Sequence, residues 1–205
     1  MRIVGVLLAA GRGTRFGADK LLAPLTQSRA DATAPTCVAV AAALHLASAV
    51  PDSLAVVRDD ADVLAQRLRG AGLRVVRCER ADEGMGASLA CGVAAAPDAD
   101  GWIIALADMP WIMPSTNGAI VAALVAGADI VAPSYRGERG HPVGFRRRHY
   151  AALASLGGDS GARAVVERER DRLTLVDVSD AGVVRDVDFP SDLEEGESPM
   201  PGKSA

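Results

Sequence analysis

Residues 3–8 form a short apolar run, Ile3-Val4-Gly5-Val6-Leu7-Leu8, which breaks at once into Ala9-Ala10-Gly11-Arg12-Gly13-Thr14-Arg15-Phe16-Gly17-Ala18-Asp19-Lys20. A buried strand that runs into a glycine-punctuated basic loop is the opening of an open α/β sheet. Such sheets bind ligands at the carboxyl edge of their strands. The glycines let the backbone approach an anion closely, and Arg15 and Lys20 can neutralise a polyphosphate. Two familiar glycine signatures do not fit. A dinucleotide fingerprint needs a third glycine where Phe16 stands and an acidic residue ending the next strand. The spacing from Gly13 to Gly17, and the Leu21 that follows Lys20, break the P-loop pattern. The loop reads as a triphosphate cradle, with a plain strand-to-helix turn as the alternative.

The rest of the chain alternates strand and helix patterns. Strands are expected at residues 54–58, 73–77, 102–107, 129–132, 143–145 and 173–178. Helices are expected at 36–50, capped by Thr36, and at 60–70, with Val63, Leu64 and Leu68 inward. Others are expected at 84–96, 115–126, 147–155, 160–168 and near Ser191. Residues 26–35 read as an exposed polar loop, and residues 196–205 as a disordered tail after one domain spanning 1–195. This order predicts a three-layer α/β/α sandwich around a mostly parallel, Rossmann-like sheet. The 143–145 and 173–178 strands are expected to contribute its antiparallel elements.

Composition narrows the functions available. Aromatic residues are only 3% of the 205, against 49% apolar, and the net charge is −4. Neither a stacking platform nor a general basic face for nucleic acid is present. Cys37, Cys78 and Cys91 are sparse and show no C-x-x-C, which fits small buried residues in a reducing compartment. The apolar start is too short for a signal peptide, and charges or glycines interrupt every apolar run. The chain is therefore expected to be cytoplasmic, with no membrane partner.

Several side chains are placed for chemistry. Asp108 follows the most continuous apolar strand and could hold a divalent cation, or cap the turn into the next helix. Asp186 and Asp188 alternate along an extended segment, so both carboxylates could face one cation; a surface turn with Ser191 as an N-cap is equally open. Gly84-Met85-Gly86-Ala87-Ser88 opens a helix whose N–H groups and Ser88 hydroxyl could meet a base or phosphate. His141 lies between Gly140 and Pro142, as a substrate contact or a turn donor. His45 and His149 read as structural, Asp159 and Arg163 as an i,i+4 ion pair, and Arg146-Arg147-Arg148 as a solvated face.

The ordered motifs carry a resemblance. Residues 8–20, 84–92, 106–110, 140–143, 158–163 and 186–190 resemble the signature of the molybdopterin guanylyl- and cytidylyltransferase family, and in particular its molybdenum cofactor cytidylyltransferase branch. The resemblance implies the nucleotide-diphospho-sugar transferase type of sheet. It implies that Ala9, Ala10, Gly11, Gly13, Arg15 and Lys20 bind the nucleotide, with Gly84 and Ser88 near the base. Arg15, Lys20 and Asp108 would act in catalysis, and Asp108 and Asp188 would hold Mg2+. His141, Asp159 and Arg163 would belong to the acceptor. Ala10, where the guanylyl branch usually has Gly, implies CTP. The implied reaction transfers CMP from CTP to molybdopterin with release of pyrophosphate. A molybdoenzyme or its maturation chaperone would receive the product. GTP, another phosphorylated acceptor, and a non-catalytic molybdopterin carrier remain as alternatives. An oxidoreductase is disfavoured by the failed dinucleotide fingerprint. The 26–35 loop, Phe189 and Gly144 depart from the family pattern.

Overall fold

The computed structural model describes residues 1–11, 16, 19–25 and 36–193. In chain order its elements are β1 (Ile3–Ala9), β2 (Pro24–Leu25), β3 (Thr36–Cys37), α1 (Val38–Ala49), β4 (Ser53–Arg58), α2 (Asp62–Gly70), β5 (Arg74–Cys78) and α3 (Met85–Ala94). There follow β6 (Gly101–Leu106), α4 (Pro114–Val125), β7 (Ile130–Tyr135), β8 (Glu138–Arg139), β9 (Val143–Arg146), α5 (Tyr150–Ala154), α6 (Arg163–Arg168) and β10 (Leu173–Asp177). The main sheet runs β10-β7-β9-β6-β1-β4-β5, with β8 added to the end of β7.

Two-residue alternation sorts the side chains of the central strands between two cores. Leu7 and Ala9, with Ala55, Val57, Ile103 and Ala105, pack beneath α1, α2 and α4. Val4, Val6 and Leu8, with Leu54, Val56, Trp102 and Ile104, pack beneath α3, α5 and α6. Strands buried on both faces must be apolar throughout, which is why β1 and β6 read as unbroken runs. The three-layer sandwich is thus the expected one. Gly144, a departure from the family pattern, has a packing reason: a Cβ there would come within 2.9 Å of Ile120 Cγ2 and Leu124 Cδ1, so α4 fills its place.

Four sequence expectations are corrected. β9 is antiparallel, as expected, but β10 pairs with β7 in parallel. After the reversed β9, α5 climbs to the carboxyl edge and α6 returns, so the chain enters β10 from the same end as β7. Thr36 does not cap α1; it pairs with Leu25 in a small two-stranded sheet, and the cap position is Cys37, which makes no side-chain capping bond. Val63 is 57% exposed, whereas Leu64 and Leu68 are buried, because the inward stripe of so short a helix has room for little more than the i, i+4 pair. Arg163 bonds Glu167, at 2.7 Å along its own helix, rather than Asp159. The polar loop at 26–35 and the tail lie outside the described residues.

Candidate active site

β1, β6 and β4 end together, and the turns that follow β1 and β6 open a cavity of about 330 Å3 at the sheet's carboxyl edge. Ala10, Gly11 and Lys20 line one side, Gly84, Met85 and Ser88 the opposite side, and Asp108 and Asp159 its polar remainder.

Lys20 is fixed by its own turn. Asp19 caps a 3-10 turn, Lys20–Leu22, by accepting from the Leu21 N–H at 3.1 Å, and the Leu21 side chain is buried as an anchor. The Lys20 ammonium is thereby held at the end of β6. It donates to Asp108 Oδ2 at 2.9 Å, Asp188 Oδ1 at 3.2 Å and the Val187 carbonyl at 2.8 Å. Burial works against its charge, but the carboxylates of Asp108 and Asp188 outweigh it and hold its pKa above the ordinary lysine value. The Asp186 pKa is raised as well, which for a carboxyl favours the neutral form: desolvation, then the charges of Asp188 and Asp108, lift it above the ordinary range.

The acidic segment is built by alternation. Val187 is buried against Ala23, Leu25, Val38 and Ala41, and its N–H donates to the Asp108 carbonyl at 2.9 Å. Its neighbours Asp186 and Asp188 are thereby turned away from that core. Asp192, not Ser191, caps the turn: its Oδ2 accepts from the N–H groups of Asp188 at 2.8 Å and Phe189 at 2.7 Å. Arg185 lies 3.7 Å over the Trp111 ring and donates to the Asp192 carbonyl. Upstream, buried Asp180 accepts from Met113 N, Thr116 Oγ1 and Gly182 N, tying this segment to the start of α4.

The opposite wall depends on glycine. Gly84 has a φ of +121°, and a Cβ there would stand 2.3 Å from Asp159 Oδ1. The Gly86 N–H donates to the Gly158 carbonyl at 2.7 Å, and a Cβ on Gly86 would meet the Gly157 carbonyl at 2.6 Å. The 157–159 segment therefore lies directly on the start of α3. The Ser88 hydroxyl turns back toward the Gly84 carbonyl at 3.5 Å.

Lys20, Asp108 and Asp188 are thus in direct contact, and Ala10, Gly11, Gly84 and Ser88 surround the same cavity. Ala9 is buried below it. Asp159, expected with the acceptor, shares this cavity, whereas Arg163 lines a separate cleft. His141 lies within reach of the Asp108 charge: among the described residues its buried Nδ1 has no hydrogen-bond partner, and burial lowers its pKa while Asp108 opposes the shift. Gly13 and Arg15 lie outside the described residues. Asp19, Asp192, Asp180 and the Val187 carbonyl went unnoticed in the sequence. The position of Asp192 just after Pro190 was the signal for a side-chain cap. Cys78 and Cys91 are distant in sequence but meet between β5 and α3, where burial and the neighbouring Cys78 thiol push the Cys91 thiol up to about 12.

An anion-sized cavity at the carboxyl edge of a mainly parallel sheet is where this class of fold takes nucleotides, and the class here is that of the nucleotidyltransferases. The model of the MobA-like NTP transferase domain matches residues 5–173, and the chain belongs to that family. It is 30% identical over 195 residues to the protein named nicotine blue oxidoreductase from Paenarthrobacter nicotinovorans, across 91% of this chain and 92% of that one. The structure of Rv0371c from Mycobacterium tuberculosis H37Rv, a complex with manganese, is similar at 30% identity and a TM-score of 0.76, covering 95% of this chain and 97% of that one. A nucleotidyl transferase from Methanothermobacter is 26% identical with a TM-score of 0.76, covering 93% of this chain and 94% of that one. Among the described residues no helix is long and apolar enough to cross a membrane.

Proposed function

We propose that the chain transfers a cytidylyl group from CTP to the terminal phosphate of molybdopterin and releases pyrophosphate. The observation that carries this reading is the clasp of one ammonium by two carboxylates and a carbonyl, at the mouth of the cavity. A set of hard oxygen donors already closed around a cationic centre suits a divalent cation. Among the described residues there is no complete cage of three or more His, Cys, Asp or Glu. Mg2+ takes one or two carboxylates and completes its shell with water and substrate phosphate. Asp108 and Asp188 would hold the ion, which would supply charge neutralisation to the reacting phosphate.

The protein's own tasks are positioning and electrostatics. Lys20 would leave its carboxylates for the triphosphate as the cation takes them. Gly11, with Gly13 and Arg15, would close the phosphate cradle. Gly84 and Ser88 would border the base. Ala10 lines the same cavity, and Ala at this position, where the guanylyl branch usually has Gly, is what supports CTP. The attacking group is the acceptor's phosphate, so no side-chain nucleophile is required. Melting temperature with each nucleotide tests the reading, since a ligand bound to the native state stabilises it. CTP with Mg2+ should raise it well beyond GTP, ATP or UTP, and Ala10→Gly should narrow the gap between CTP and GTP. A larger response to GTP in the wild type would reassign the base.

One observation favours a second reading, an oxidoreductase: the name of the Paenarthrobacter relative. Against it stands Phe16 at the third-glycine position of the dinucleotide fingerprint. Oxidation of a reduced nicotinamide by the purified protein would revive it.

A further inference from the structure

The two carboxylates of the clasp come from segments far apart in the chain, and one stacked pair of side chains joins those segments. Asp108 lies in the turn after β6, with Trp111 three residues after it. Asp188 ends the acidic segment, with Arg185 three residues before it. The Val187 N–H donates to the Asp108 carbonyl at 2.9 Å, so the segments meet beside Asp108. The Arg185 guanidinium lies 3.7 Å over the Trp111 ring, at cation–π distance.

Each partner is fixed from its own side. Trp111 is half-buried against the small core that also buries Val187. Its carbonyl lies against Gly182, where a Cβ would collide with it, and the Arg185 N–H donates to the Gly182 carbonyl at 3.3 Å. The guanidinium then donates to the Asp192 carbonyl at 2.9 Å, and the Asp192 carboxylate accepts from the Asp188 N–H at 2.8 Å. A continuous set of contacts thus runs from the turn that carries Asp108 to the backbone of Asp188. A planar guanidinium can stack and donate at once. On charge alone, however, a cation in this place disfavours a divalent ion held by Asp108 and Asp188.

We infer that Arg185, stacked on Trp111, is the positioning residue of the metal seat: it holds Asp188 where one divalent cation can take both carboxylates. This rests on the divalent-cation reading of the clasp and deepens it. Charge and position act here with opposite signs. Removal of a mere neighbouring cation lets a divalent ion bind more tightly, whereas removal of a residue that orients a ligand weakens binding by about tenfold or more.

The test is Mn2+ binding, read from the free-ion signal in electron paramagnetic resonance, by wild type, Arg185→Met, Trp111→Leu and Trp111→Phe. Arg185→Met and Trp111→Leu should each weaken Mn2+ binding by about tenfold or more. Trp111→Phe keeps a ring under the guanidinium and should stay within about threefold of wild type. Unchanged or tighter binding in Arg185→Met would overturn the positioning role. Equal losses in Trp111→Phe and Trp111→Leu would also overturn it, however well Arg185→Met folds. Melting in chelator gives a readout independent of the ion. Lys20→Met should lower the melting temperature less in Arg185→Met than in wild type, because Asp188 is no longer held against the ammonium. Strictly additive losses would overturn the role. No Mn2+ binding by wild type would overturn the metal seat and the function built on it, while the cycle in chelator would still decide whether Arg185 positions Asp188.

Discussion

Lys20→Met removes the ammonium and keeps most of the side chain's length and volume. Lys20 Nζ sits 2.9 Å from Asp108 Oδ2 and 3.2 Å from Asp188 Oδ1, with side-chain exposures of 12% for Lys20, 25% for Asp108 and 38% for Asp188. At an effective dielectric constant of about 20 each pair is worth roughly 5 kcal/mol before desolvation is counted. Desolvation offsets most of that. The better-buried Asp108 pair retains about 1.5–2 kcal/mol, as a charge-assisted hydrogen bond, and the wetter Asp188 pair about 0.5–1 kcal/mol after screening. The variant should therefore lose about 2–3 kcal/mol, or about 5–10 °C in melting temperature for a chain of this size. The two carboxylates should also bind a divalent cation without first displacing the Lys20 amine. Melting followed by circular dichroism, in chelator and then in millimolar Mg2+ or Mn2+, reads both effects. The cation should raise the variant's melting temperature more than the wild type's. A loss of less than about 1 °C in chelator, or an equal response to the cation in both proteins, would refute the clasp as a stabilising element and a metal seat.

Three further outcomes follow from other contacts. Gly86→Ala drives a methyl to 2.6 Å from the Gly157 carbonyl, a backbone atom that cannot rotate away. It should cost about 1–3 kcal/mol and weaken the CTP-dependent thermal shift by displacing Asp159; a wild-type melting curve and shift would contradict this. Asp192→Ala removes the acceptor for the Asp188 and Phe189 N–H groups, so it should cost about 1–2 kcal/mol and lower kcat more than it raises the KM for CTP. His149 is buried, and burial lowers its pKa below the ordinary imidazole value, so the fold holds it neutral. The unfolded chain takes up that proton near pH 6.5, so the stability is full above about pH 6.5 and is lost as pH falls toward the folded pKa. Melting temperature should fall between pH 7.5 and about 5.5, with a shallower slope in His149→Leu; equal slopes would remove His149 from the pH dependence. His141, lowered for the same reason, leaves part of the slope in place.

The sheet was legible because strands buried on both faces have to be apolar without interruption, and β1 and β6 obey that rule. The antiparallel direction of β9 was expected, along with one for β10. The parallel entry of β10 was not, because direction depends on where α5 and α6 leave the chain, and no local pattern records that. At the site, Asp108 was singled out by its place just after β6, Asp188 by the alternation of the 186–188 segment, and Lys20 by the glycine-punctuated loop that it closes. Their mutual contact was not, since the two aspartates lie 80 residues apart and meet only through the neighbouring ends of β6 and the 186–188 segment. Arg163 was misassigned for a related reason: helix spacing allows a partner at either i−4 or i+4, and Asp159 is committed to the wall beside Gly84. The capping by Asp192 and the tether through Asp180 depend on turns whose geometry side-chain carboxylates create only once the chain has folded.

The most direct test of the account is pyrophosphate release by the purified chain with Mg2+, molybdopterin and each of CTP, GTP, ATP and UTP in turn. The account predicts release with CTP, little with the other three, and loss of most of the rate in Lys20→Ala. Release with none of the four, or an undiminished rate in Lys20→Ala, would contradict it.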